Sequence, residues 1–191
     1  MAKRIVRCER ELPDCLVAFL TTAIRDIRQC GDGCRVAFFD RGPLDANKLS
    51  MAGSWSAYWY NGVIVSSEIA RGLDIYELLP SGLITQNELD AAKTVHFVFY
   101  NTQDQQKFVW PASFPLAKAY LDQLERSKGL SPERIKSTRD ALAAAERASG
   151  QQRRTTLTQL ATQLSSEVTR SSDPGKMKLM VNAVTDLAKA R

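Results

Sequence analysis

The sequence predicts an α+β fold in which a small antiparallel β-meander is followed by an antiparallel helical bundle. Three observations carry the prediction. Residues 54 to 78 alternate apolar and polar side chains around an Asn-Gly pair, the signature of half-buried strands joined by a tight turn. The C-terminal third repeats apolar residues at steps of three and four between capping residues, as amphipathic helices do. After the meander the pattern switches to helix from Ile84. With 191 residues, 44% of them hydrophobic, the chain has enough apolar surface for a packed core. Three segments follow: an atypical cysteine-containing helix segment over 1–33, a β-region over 34–101, and a helical bundle over 110–191.

In the first segment, DCLVAFLTTAIRDIRQC places Leu16, Leu20, Ala23, Ile24 and Ile27 on one helical stripe, and Gly31 and Gly33 stop it. Asp26 beside Arg25 and Arg28 on the polar face argues for packing rather than for a membrane surface. Cys8, Cys15, Cys30 and Cys34 all fall within the first 34 residues. Their spacing does not repeat the paired short knuckles of a zinc site, and the sole histidine, His96, is far away in sequence; free thiols are the first reading, with a disulfide or a metal site left open. Glu9, Glu11 and Asp14 interrupt the basic start and the short apolar run that a secretory signal would need. No run approaches the roughly 20 apolar residues of a membrane span. The chain as written is expected to stay in the cytoplasm.

The net charge of +5 comes from 26 basic and 21 acidic side chains, which are interspersed. Nucleic acid is not an expected partner, because backbone binding gathers cations on one surface. The basic residues of the tail, Arg153, Arg154, Lys176 and Lys178, are the candidates for that weaker reading.

Arg35 opens a β-rich run, RVAFFD, ended by the turn signal RGP. From Trp55 the alternation puts Trp55, Ala57 and Trp59 on one face and Ser56, Tyr58 and Tyr60 on the other. Asn61-Gly62 suits the two positive-φ positions of a type I′ turn. VIVSS returns as the second strand, and LDIYEL is the third after the connection EIARG. Such a meander is marginal in water unless its faces are covered. Thr85-Gln86-Asn87-Glu88 has capping-box spacing and starts a short helix to about Lys93, and TVHFVFYN is read as a last strand able to complete a four-stranded meander. Ser113 caps a helix to Lys128 stopped by Gly129, and Ser131-Pro132 and Gly150 bracket the next. A third carries Leu157, Leu160, Ala161, Leu164 and Val168 on one stripe; a fourth begins at Asp173-Pro174 and repeats Met177, Met180, Val184 and Leu187.

The stretch YNGVIVSSEIARGLDIYEL resembles one unit of the LVIVD repeat: strand, tight turn, strand, short polar connection and a Gly-Leu-x-hydrophobic strand. VAFFDRGPLD resembles the closing strand of a preceding unit. From Val36 to the helix ending TLTQLATQL, roughly two-thirds of the chain, the order of segments is similar to the C-terminal end of bacterial LVIVD-repeat proteins, with TQNE as the helix start, Trp110 to Phe114 as a WPASF-type segment, and a helical tail. The resemblance implies a propeller-like β-domain, of which this sheet would be a remnant blade. Residues 1 to about 33 depart from it, and only one full unit is present where repeat folds need about three. The expectation is therefore a truncated chain, the end of a longer protein. Complete relatives are expected at the cell envelope or outside the cell.

No GxGxxG, Walker A, HExxH or EF-hand pattern occurs, no catalytic constellation is singled out around His96, and no cofactor or metal is expected. The candidate binding loop is Ser66, Ser67, Glu68 and Arg71, which joins two strands and offers two hydroxyls, a carboxylate and a guanidinium; an internal ion pair is the competing reading. The candidate aromatic surface is Trp55, Tyr58, Trp59 and Tyr60, with core packing as its alternative. Trp110 and Tyr76 extend the same aromatic set. The favoured function is a non-enzymatic interaction or structural module whose partner is a protein or a surface polymer and which self-associates through exposed blade edges. The alternative is an enzyme or a redox or metal protein that uses the N-terminal cysteines.

Overall fold

Two compact units divide the chain, Met1–Val109 and Trp110–Arg191. The computed structural model describes residues 3–5, 43–101 and 108–190. The helix expected over 14–30, the run RVAFFD and all four cysteines lie outside the described residues.

In the first unit, β2 (Ser54–Tyr60), β3 (Val63–Glu68) and β4 (Gly72–Leu78) form the antiparallel meander. Asn61 at φ 49° and Gly62 at φ 88° make the tight turn, which pairs Tyr60 with Val63 and so fixes the register of the whole hairpin. The second connection, Ile69 to Arg71, ends on Gly72 at φ 85°. A Cβ there would meet nothing within 4 Å, so it is the left-handed backbone and not lack of room that calls for the glycine of the Gly-Leu-x-hydrophobic motif.

The sheet order is β1-β4-β3-β2, with β1 (Lys3–Ile5) paired parallel to β4. This corrects the expected fourth strand. Residues 94 to 101 do not join the ladder, because the β4 edge they would need is taken by β1. Instead the Phe97 backbone is held by Asn61, whose Nδ2 donates to Phe97 O at 2.9 Å and whose Oδ1 accepts from Phe97 N at 2.8 Å. The Tyr60 hydroxyl adds a third bond to Phe97 O at 3.0 Å. The rings of Phe97 and Tyr100 gather on Phe108, with centroids 5.3 and 5.7 Å from it.

Helix α1 (Gln86–Ala92) begins with the expected capping box: Glu88 N donates to Thr85 Oγ1 and Thr85 N donates to Glu88 Oε2 at 2.7 Å. Ile84 and Leu89 at its start cover Ile64 and Leu78 on one face of the sheet. The space left between them and Trp59 is about 10 Å³, less than a ligand needs.

The second unit consists of α2 (Phe114–Arg126), α3 (Pro132–Arg147), α4 (Gly150–Glu167) and α5 (Pro174–Lys189). Ser113, Ser131 and Asp173 each cap the following helix by accepting a backbone N–H. Ion pairs show that neighbours run antiparallel: Lys118 near the start of α2 meets Glu146 near the end of α3, and Arg134 at the start of α3 meets Glu167 at the end of α4. Leu124, Leu142, Leu157, Leu164, Met177, Met180 and Val184 fill the core and are all essentially inaccessible. Val168 packs at its margin, in a 3₁₀ turn beyond α4.

One helix end differs from expectation. The α2 C-terminus places Lys128, not Gly129, in the left-handed region at φ 56°, while Gly129 N donates to Leu124 O at 2.8 Å and Lys128 N to Glu125 O at 3.1 Å, the Schellman pairing. Gly129 is required for another reason: a Cβ would come 2.6 Å from Leu124 Cδ2 and 3.3 Å from Asp173 Cβ. The loop is then fastened by Ser171 Oγ donating to Gly129 O at 2.7 Å.

Candidate functional site

The hairpin register assigns every sheet residue to a face. The inner face carries Trp59, Ile64, Tyr76 and Leu78 at the end covered by α1, and Ala57, Ser66, Glu68 and Asp74 at the other. The outer face carries the row Tyr58, Val65 and Ile75, with Ser56, Ser67 and Leu73 beside it.

Of the candidate binding loop, Ser66, Ser67 and Glu68 belong to β3 itself, and their alternation sends Ser67 to the outer face and the other two to the inner face. Ser66 is 1% exposed and its hydroxyl bonds that of Ser54; Ser67 Oγ lies 2.8 Å from Ser56 Oγ across the ladder. Glu68 is buried, and its carboxylate accepts from Gly53 N at 2.6 Å and Ala70 N at 3.1 Å. It thereby ties the segment entering β2 to the β3–β4 turn. Arg71 is half-buried within that turn and its charge acts on Glu68. The four residues therefore do not converge on one exposed surface.

The Gly53 N–H holds the Glu68 carboxyl below the ordinary carboxylate range; burial opposes this, and the N–H groups of Arg71 and Ala70 and the Arg71 charge assist it. Because the folded chain binds this proton less readily than the unfolded chain, the stabilisation is complete above the unfolded pKa and is lost as pH falls through the lower folded value. Thermal unfolding followed by circular dichroism from about pH 6 down to about pH 3 should accordingly show a shallower loss of stability for Glu68→Gln than for the parent chain. Parallel curves would remove Glu68 from the acid response.

The four aromatic candidates are separated as well. Trp59 is 7% exposed and packs edge-on to Phe108 with ring centroids 5.6 Å apart; Tyr60 is half-buried with its hydroxyl committed to Phe97. Trp55 does not share the face of Trp59 as the alternation predicts. The ladder shifts between Ser54, opposite Glu68, and Ser56, opposite Ser67, so Trp55 is the extra residue of a β-bulge and is 79% exposed. Tyr58 is partly exposed on the outer face.

What the aromatic reading missed is the aliphatic part of that face. Leu73 is 64% exposed and Ile75 40%, next to half-buried Val65. Their place was derivable, since an Asn-Gly turn pairing Tyr60 with Val63 puts Tyr58 opposite Val65 and carries the row onward to LDIYEL. No family model, curated protein or solved structure matches the chain.

The other chemistry sought in the sequence is also placed. His96 is exposed in the irregular segment after α1. The basic residues of the tail do not form a stripe: Lys176 is buried with Nζ 2.9 Å from Gln123 Oε1, and Arg153 donates to Ala148 O at 2.9 Å and Ala145 O at 3.2 Å, closing the end of α3. Arg154 and Lys178, both exposed, lie near the starts of antiparallel helices and so towards opposite ends of the bundle. Among the described residues no group of three acidic, cysteine or histidine side chains could hold a metal, and no helix is long and apolar enough to cross a membrane.

Proposed function

We propose that this chain is a non-enzymatic interaction or structural module of the LVIVD-repeat kind, whose meander packs against another β-sheet through its outer face. The supporting observation is the pair of exposed aliphatic side chains on that face, Leu73 and Ile75, beside half-buried Val65 and the exposed Trp55 of the bulge. Sheets pack face to face by interdigitating such side chains, and a patch of this kind left in water marks a contact surface. The partner is the neighbouring sheet of a propeller-like array in which this meander is one blade, as the resemblance of YNGVIVSSEIARGLDIYEL to a repeat unit implies. In this reading complete relatives act at the cell envelope or outside the cell, and the chain by itself meets a second copy through this face.

Sedimentation velocity over a concentration series tests this. The parent chain should associate reversibly, and Leu73→Lys combined with Ile75→Lys should sediment as a monomer while keeping the parent's circular dichroism spectrum. Both substitutions fall on exposed positions, where a change of side chain alters folding stability by about 0.5 kcal/mol or less. A parent chain that remains monomeric, or association that persists in the variant, counts against the proposal.

A further inference from the structure

We draw no further inference here: the strongest candidate, the uncharged stretch of the groove between α4 and α5 lined by Thr158, Ala161, Thr162, Ser165, Val181 and Thr185, carries nothing because it is a face of small side chains and nothing in the structure shows what covers it.

Discussion

Leu164→Ala should destabilise the helical unit by about 3 kcal/mol. Leu164 is inaccessible on α4, within a core to which all four helices contribute. Truncation removes the transfer free energy of the lost methyl and methylene groups, and a cavity remains because the surrounding leucines and methionines collapse only in part. The control is Leu179→Ala on α5. Leu179 is 45% exposed, so the same chemical change there should cost well under 1 kcal/mol. Denaturant titration followed by far-UV circular dichroism separates the two variants. Equal losses would mean that the Leu157, Leu160, Leu164 stripe is not the buried one.

The second large effect concerns Asn61, which serves two purposes at once. Its backbone sits in the left-handed region at φ 49°, where alanine costs about 1 to 2 kcal/mol. Its side-chain amide makes two hydrogen bonds to the Phe97 backbone, each worth about 1 kcal/mol net. Asn61→Ala should therefore cost about 3 kcal/mol. Asn61→Gly keeps the turn while removing the amide, and should cost roughly half to two-thirds as much. Amide hydrogen exchange adds a readout specific to the second role: in both variants the Phe97 N–H should lose protection. If Asn61→Gly matches the parent in stability and in Phe97 protection, the clamp contributes nothing.

These two sites mark where the sequence could be read and where it could not. The stripes Leu157-Leu160-Ala161-Leu164 and Met177-Met180-Val184-Leu187 were legible because a helix keeps its period over several turns, and the caps Thr85, Ser113, Ser131 and Asp173 act on donors only three residues away. The Asn-Gly turn was legible for the same reason, since its chemistry is local. Misreading began where a distant partner decides. TVHFVFYN alternates as a strand does, yet whether it pairs depends on an edge already taken by Lys3–Ile5, remote in sequence. Asn61 announces a turn but not its hold on Phe97.

Trp55 was misassigned because alternation assumes an unbroken ladder, and a single bulged residue inverts the faces of everything on its far side. Gly129 was legible as the stop of α2, but not that Lys128 before it holds the left-handed position or that Gly129 fits closely against Leu124. In the candidate site, Ser66, Ser67 and Glu68 were recognisable as polar groups at a strand end. That Ser54, Ser56 and Gly53 engage them became visible only with the register.

Hydroxyl-radical footprinting of the full chain at low and high concentration reads out, residue by residue, the proposed packing of the meander's outer face on another β-sheet. Oxidation of Tyr58, Leu73 and Ile75 should fall as concentration rises, while Leu179 on the helical unit is labelled equally throughout. Unchanged labelling of the outer row, or protection confined to other parts of the surface, would contradict it.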